Sequence, residues 1–194
     1  MNNRQILSLT WCVCFAFVAC QEPAGARLPM VNLDASSAEL GSLALSASGG
    51  EASGHADVHG TEVQNVKDET YSFTAVPTGA APLAAGQVEV HLLRFTGEEV
   101  FVHAEVTCLS IVGNDAWIGS RISRFVQNRQ EVPERTGRPM IFRARDVGEG
   151  EGAVDLASLV FFLAPGGDEL AHCNTRPDFP ILRESVTGNI QVKN

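Results

Sequence analysis

The sequence predicts an all-β protein, an antiparallel meander that closes into a barrel of about eight strands. Short apolar runs alternate with turn residues along most of the chain, glycine is frequent at 18 residues, and aromatic residues make up only 7%. That combination is typical of turn-rich β proteins rather than helical bundles. A β-sandwich is the alternative, because either arrangement buries the aliphatic face of a meander.

Length and charge limit the class of protein further. With 194 residues, 44% of them hydrophobic, the chain is long enough for one well-packed domain. Acidic residues outnumber basic ones by 23 to 14, which gives a net charge of -9. This balance argues against a nucleic-acid-binding protein, which would normally present a basic face.

The N-terminal segment has the features of an export signal. Arg4 supplies a positive charge, and residues 6–19 form an apolar run of the length found in signal peptides. Residues 17–20, Phe-Val-Ala-Cys, resemble the lipobox of bacterial lipoproteins, although Phe17 stands where that family usually has Leu. The resemblance implies that Cys20 receives a diacylglycerol and becomes the first residue of the mature chain. Ordinary secretion, with cleavage after the small residues at 24–26, is the alternative.

The same resemblance implies a location in the cell envelope. A lipid anchor at Cys20 would tether the protein to a bilayer, which makes the membrane its first expected partner. Anionic headgroups would repel so acidic a chain, so the anchor rather than surface charge would hold it there. Gln21 stands where lipoproteins retained in the inner membrane usually have Asp. This implies the outer membrane if the source is Gram-negative.

The chain is expected to divide into a signal peptide at residues 1–19, a lipidated N-terminus with a flexible tether at 20–43, and a β domain at 44–194. The tether mixes Pro, Ala, Ser and Gly without a sustained period. Within the β domain, the last strand is expected to close the barrel against the first. The predicted strands are 44–50, 53–59, 70–76, 86–95, 99–111, 115–125, 139–146, 156–163 and 187–193.

Alternating valines predict which face of the middle strands is buried, and the turns between them predict the register. A three-residue loop at 96–98 places Val90 opposite Ala104 in the neighbouring strand. A second three-residue loop, at 112–114, places Cys108 on the same apolar face. The inward side chains are almost all aliphatic or aromatic, which predicts a packed interior rather than a ligand cavity.

This register brings four outward-facing side chains together, which suggests a metal site. His91 falls opposite His103. Glu89 falls opposite Glu105, so that two imidazoles and two carboxylates share one cross-strand neighbourhood. A solvated sheet surface, with Glu105 paired to Arg121 on the next strand, is the alternative reading.

A glycine-rich acidic loop suggests a second metal site. Its carboxylates are those of Asp146, Glu149, Glu151 and Asp155. Hard oxygen ligands on a flexible loop suit Ca²⁺, although their spacing differs from that of the EF-hand loop. A long acidic hairpin loop without an ion explains the residues equally well. No other cofactor is expected.

Cys108 and Cys173 are expected to form a disulfide. They are the cysteines that remain once the signal peptide and the anchor are set aside, and an exported domain is where such bonds form and persist. The alternative is two separate buried thiols, each packed as a small apolar side chain.

Short motifs of the β domain carry a second resemblance. They are Phe73-Thr74-Ala75, Cys108-Leu109, Val-Gly-Asn-Asp-Ala at 112–116, Gly-Glu-Gly at 148–150, Ser-Leu-Val-Phe at 158–161 and Gly-Asn-Ile-Gln-Val at 188–192. Together they resemble a group of secreted bacterial β proteins to which no activity is assigned. Members of that group usually have Asp-Asn-Gly where this chain has Asp-Val-Gly at 146–148. The resemblance implies export and paired cysteines, and it implies no activity.

The expected function is a non-catalytic binding or interaction module of the envelope. The sequence contains no Gly-x-Ser-x-Gly, no His-Glu-x-x-His and no phosphate-binding glycine loop. An apolar stripe on the outer face of the middle strands is either covered by the tether or a loop, or contacts a protein partner. The stripe comprises Leu93, Phe101, Leu109 and Trp117.

Two other functions stay open at this point. The first is a carrier of small apolar ligands, similar to calycins, that would use the lumen of the barrel. The second is an enzyme of a class whose site the sequence does not reveal. An unfilled interior would favour the carrier, whereas an exposed outer patch would favour a partner-binding module.

Overall fold

Eleven β-strands and one α-helix form the part of the chain that the computed structural model describes, residues 50–150 and 152–194. The signal peptide, Cys20, the tether and most of the predicted strand 44–50 lie outside the described residues, as does Glu151. The strands are β1 (Glu51–His59), β2 (Asp68–Pro77), β3 (Ala84–Leu93), β4 (Glu99–Val112), β5 (Asp115–Gln127), β6 (Gln130–Glu131), β7 (Pro139–Arg145), β8 (Leu156–Ser158), β9 (Phe161–Phe162), β10 (Leu182–Glu184) and β11 (Thr187–Lys193). The α-helix is α1 (Glu169–Thr175), and two short 3-10 helices lie at Glu62–Gln64 and Pro133–Arg135.

The strands form one antiparallel sheet that curls into a half-barrel, which confirms the predicted all-β meander. The order is β10-β8-β7-β5-β4-β3-β2-β1-β11, with β6 beside β5 and β9 beside β7. The C-terminal strand pairs with the first described strand, but that strand is β1 rather than the predicted 44–50. None of the helices in the described residues is long and apolar enough to cross a membrane.

Aromatic side chains fill the concave interior of the sheet. The rings of Tyr71 and Phe73 each lie 5.2 Å from the ring of Phe142 in edge-to-face geometry. Ile118 and Met140 are fully buried beside them. Large side chains in this part of the interior therefore contact one another, as in an ordinary apolar core.

The predicted register between β3 and β4 is wrong by two residues. The loop closes over five residues, with Arg94 N donating to Glu98 O at 2.9 Å and an ion pair between the same two side chains at 2.6 Å. Val90 consequently lies opposite Val102 rather than Ala104. A shift of two positions keeps every side chain on its predicted face, because side chains alternate along a strand.

The turn between β4 and β5 is shorter than predicted, and a β-bulge lies before it in β4. The turn contains only Gly113 and Asn114, so Cys108 pairs with Gly119. The extra residue at the bulge, Thr107, reverses the alternation of β4 beyond it. Cys108 therefore lies on the outer face, opposite to its prediction, and Leu109 joins the core.

The helix α1 packs against the outer face of β4, β5 and β7, and the sequence did not predict it. It has seven residues, too few to produce a clear helical period. Asp168 caps its N-terminus, since its carboxylate accepts a hydrogen bond from Ala171 N at 3.1 Å. The helix divides the outer face of the sheet into a covered half and an uncovered half.

Candidate functional site

The covered half is held by the predicted disulfide. Cys108 of β4 and Cys173 of α1 are bonded, with their Cα atoms 6.2 Å apart. Gly119 on β5 makes this close approach feasible, because a Cβ atom there would lie 2.6 Å from the Sγ atom of Cys108 and 2.9 Å from Cβ of Glu169. The bulge and the glycine together place the helix directly on the sheet.

An ion pair lies beside the disulfide. The buried carboxylate of Glu169 accepts hydrogen bonds from Nε and a terminal nitrogen of Arg121, at 2.7 Å and 3.0 Å. Thr107 Oγ1 donates to the same carboxylate at 3.3 Å. Arg121 reaches it from β5 and is half exposed, so one end of the pair remains in water. The two parallel N–H···O bonds fix the helix in orientation as well as in position.

Other polar groups under α1 also have structural partners, although Arg143 Nε and His172 Nδ1 are buried without a hydrogen-bond partner among the described residues. His172 Nε2 donates to the carbonyl of Phe142 at 3.2 Å, and burial lowers the pKa of this histidine. Trp117 Nε1 donates to the carbonyl of Pro177 at 2.8 Å. The guanidinium of Arg143 lies over the Trp117 ring, 4.9 Å from its centroid. These residues attach the helix and the segment after it to the sheet.

The apolar stripe predicted on the outer face therefore separates into different environments. Trp117 is covered by α1 and the chain that follows it, as one of the two alternatives predicted. Leu109 is turned into the core by the bulge, and Leu93 is half-buried at the end of β3. Phe101 alone among the four lies exposed, with 39% of its surface accessible.

Phe101 lies in a groove on the uncovered half of the outer face. The groove encloses about 320 Å³, and its outward side chains come from β1, β3 and β4. Thr70 and Ser72 of β2 line its floor with their hydroxyl groups. We name this feature the outer groove; its outward residues are His55, Glu89, His91, Phe101 and His103.

Cross-strand register explains why these side chains meet. One row across the sheet runs from His55 through Ser72 and Glu89 to His103. In the next row the ring of His91 stacks on the ring of Phe101, with centroids 4.2 Å apart and planes inclined by 5°. His103 Nδ1 lies 3.3 Å from Glu89 Oε1. The outer groove thus combines an aromatic face, imidazoles and a carboxylate that are all open to solvent.

The observed register separates the members of the first predicted metal site. His103 and Glu89 lie together, but His91 lies opposite Phe101 rather than His103. Glu105 lies opposite Gln87 on β3, and opposite Arg121 on β5 as predicted. Within residues 50–150 and 152–194, no group of three or more His, Cys, Asp or Glu side chains is placed to hold a metal ion.

Two carboxylates of the predicted calcium loop cover the free edge of β11. Asp155 Oδ2 accepts from Ile190 N at 2.6 Å, and Asp146 Oδ2 accepts from Val192 N at 3.1 Å. Their second oxygens accept from backbone N–H groups within the loop itself. The loop thus satisfies donors that an edge strand would otherwise present to another chain. Glu149 is exposed, Glu151 lies outside the described residues, and calcium binding stays a prediction.

Sequence reasoning missed a buried acid in the interior. Glu69 lies on β2 at an inward position, two residues before Tyr71, and is fully buried. Burial raises the pKa of Glu69 to about 8, and the hydrogen bond from Val160 N to Oε1, at 2.6 Å, opposes that rise. Oε2 has no hydrogen-bond partner among the described residues. The alternation of Glu69, Tyr71 and Phe73 in the sequence is the signal that would have found it.

Comparison with known proteins identifies no relative of this chain. No protein-family model matches the chain, and no curated protein and no solved structure is significantly similar to it. The described residues offer a solvent-open groove on one half of the outer face, with structural contacts on the other half and in the interior.

Proposed function

We propose that this chain is an exported, membrane-anchored lipoprotein whose β domain is a non-catalytic binding module of the cell envelope. The disulfide between Cys108 and Cys173 carries the proposal, because such bonds form and persist in oxidising compartments outside the cytosol. Export agrees with the apolar N-terminal run, and the lipobox-like residues before Cys20 supply the anchor.

The outer groove is the surface that such a module would use. It is exposed, it belongs to four successive strands, and it joins a stacked aromatic pair to groups that donate and accept hydrogen bonds. A carrier that uses the barrel lumen is less well supported, because Tyr71, Phe73 and Phe142 fill the interior. An aromatic face with nearby polar groups suits recognition of a partner in water.

A non-catalytic role also fits the use of the buried titratable groups. Glu169 and His172 attach α1 to the sheet, with Arg121 and the Phe142 carbonyl as their partners. A general acid or base needs access to a substrate proton, which these groups lack in their structural positions.

The anchor is tested by mass spectrometry of the mature chain. The full sequence is expressed in a Gram-negative host, membranes are collected, and the N-terminal peptide is measured. We expect the mature chain to begin at Cys20 and to carry acyl chains, because the apolar run ends directly before this cysteine. Several acyl chains anchor a protein stably, whereas one chain alone anchors it only marginally. The Cys20→Ser variant should yield no lipidated peptide. A soluble mature protein that begins at Gln21 or Arg27 without lipid would overturn the proposal.

A further inference from the structure

The uncovered half of the outer face differs from the covered half in its charge. The described strands β1, β2, β3 and β4 contain neither Lys nor Arg, whereas β5 and β7 contain four arginines. Six carboxylates occupy outward positions on β1 to β4, in alternation with the buried side chains. They are Glu51, Asp57, Asp68, Glu89, Glu99 and Glu105. The uncovered half is therefore an anionic surface.

The basic side chains on the neighbouring strands do not neutralise this surface, because each already has a carboxylate partner. Arg121 lies 2.7 Å from Glu169, Arg124 lies 2.8 Å from Glu131, and Lys193 lies 2.6 Å from Glu51. Lys67 lies in the turn before β2 and does not line the outer groove. The partners of Asp57, Asp68 and Glu89 are imidazoles instead, and imidazoles are ordinarily mostly neutral above pH 7.

The outer groove places an aromatic surface beside one of these carboxylates. Glu89 lines the groove and is exposed, and the stacked rings of His91 and Phe101 lie in the next row of the sheet. The short side chains of Thr70 and Ser72 form the floor between β1 and β3, which are about 10 Å apart. A guanidinium group fits these surroundings, because its plane stacks on an aromatic ring while its N–H groups donate to a carboxylate.

Asp57 supplies a second carboxylate on the other side of this floor. It lies on β1 opposite Thr70, across from the strand that carries Glu89. Hydrogen bonds from the side chains of Thr187 and Thr70 lower the pKa of Asp57, so this group stays ionised at neutral pH. A partner with two basic side chains therefore meets a carboxylate on each side of the floor.

We propose that the outer groove binds a basic segment of a protein partner through arginine side chains. This inference rests on the proposed function, which makes the outer groove the binding surface, and adds the chemistry of the partner. Glu89 and Asp57 attract the guanidinium groups, and the rings of His91 and Phe101 stack on one of them. The same carboxylates repel an acidic partner.

The test is a fluorescence anisotropy titration of the full chain, in a non-ionic detergent, with four labelled peptides. They share the sequence Ser-X-Gly-X-Ser with blocked ends, and X is Arg, Lys, Gln or Glu. At about pH 8, where imidazoles are ordinarily neutral, the arginine peptide should bind about tenfold more tightly than the glutamine peptide. It should bind about threefold more tightly than the lysine peptide, and the glutamate peptide should bind most weakly.

Two variants locate the binding in the groove. Glu89→Arg should abolish binding of the arginine peptide. Phe101→Leu should remove the preference for arginine over lysine, because leucine has no ring on which a guanidinium stacks. The matched control is Glu134→Arg, the same change of net charge at an exposed carboxylate in the short helix Pro133–Arg135, outside the groove. This control should bind the arginine peptide as the wild type does.

Four results would overturn the basic partner. They are absence of binding by the arginine peptide, equal affinity for the arginine and glutamine peptides, tightest binding of the glutamate peptide, and equal losses in Glu89→Arg and Glu134→Arg. The peptides test only the chemistry of the partner, whereas mass spectrometry of the mature chain at Cys20 tests the proposed function. The two can therefore fail separately.

Discussion

The two halves of the outer face of one sheet differ in what covers them. On β4, β5 and β7 the outer face is sealed by α1, a disulfide and the ion pair between Glu169 and Arg121. On β1 to β4 the outer face is open, and His91, Phe101 and His103 lie in solvent. The strands themselves are similar in length and pairing, so the sheet alone does not decide which half is buried.

The comparison shows that one inserted residue and one missing side chain decide which half of the outer face is covered. The bulge at Thr107 turns Cys108 outward, and Gly119 leaves room for the helix to approach. The uncovered half has no such bulge in β2 or β3, and its side chains alternate regularly between core and solvent. We infer that the covered half stabilises the fold and that the uncovered half is available for contacts with a partner.

Loss of the disulfide should have the largest effect on the covered half. The Cys108→Ala/Cys173→Ala variant releases a crosslink with a sequence separation of 65. The chain-entropy relation gives a loss of about 4 kcal/mol in the free energy of unfolding, measured by urea denaturation. Reductant should lower the stability of the wild type in the same way and leave the double variant unchanged. Two reactive thiols per mature chain under non-reducing, denaturing conditions would contradict the structure.

A buried and an exposed carboxyl should differ in their effect on pH-dependent stability. Glu69 has its pKa raised from 4.5 to about 8, so the folded state holds a proton that the unfolded state releases. Its contribution is fully present below pH 4.5 and is lost as the pH rises towards 8. Between about pH 6 and 7.5, the loss should be about 2 kcal/mol in the wild type and absent in Glu69→Gln.

The control for that measurement is Glu89→Gln, the same chemical change on the exposed face. Denaturation curves across this pH range should show the wild-type slope in Glu89→Gln and a reduced slope in Glu69→Gln. The difference between variants isolates Glu69, because His172 titrates in all of them with the opposite sign. Parallel slopes in wild type and Glu69→Gln would refute the assignment.

A buried and an exposed ion pair should differ least, but measurably. Glu169→Gln removes the charge from a carboxylate buried under α1, which should cost about 1.5 kcal/mol of stability. Glu131→Gln breaks the pair with Arg124, in which both side chains are more than half exposed, and should cost under about 1 kcal/mol. Both losses are measured by urea denaturation. A larger loss from Glu131→Gln would reverse the expected order of the buried and the exposed ion pair.

The sequence predicts the strands well because their signals are local. Alternating apolar residues and glycine turns predict most of the strand positions from Glu51 onward, and two cysteines in a domain that is expected to be exported predict the disulfide. The predicted register of β3 and β4 is wrong because a shift of two residues leaves the same side chains on the same face. Pattern alone does not distinguish the two registers.

The candidate site was harder to predict, since it depends on those registers. The row that joins His55, Glu89 and His103 exists only when the strands are paired as observed. The bulge at Thr107 has no sequence signature of its own, so Cys108 was assigned to the wrong face. The helix α1 is too short for its period to show, although Asp168 is a typical cap.

The most direct test of the division between the halves is photocrosslinking in cells. A benzoylphenylalanine placed at Phe101 probes the outer groove, and one placed at Leu170 probes the exposed side of α1 on the covered half. We expect a reproducible adduct with an envelope component from position 101 and none from position 170. Adducts from position 170 alone, or none from position 101, would contradict the claim that the uncovered half makes the contacts.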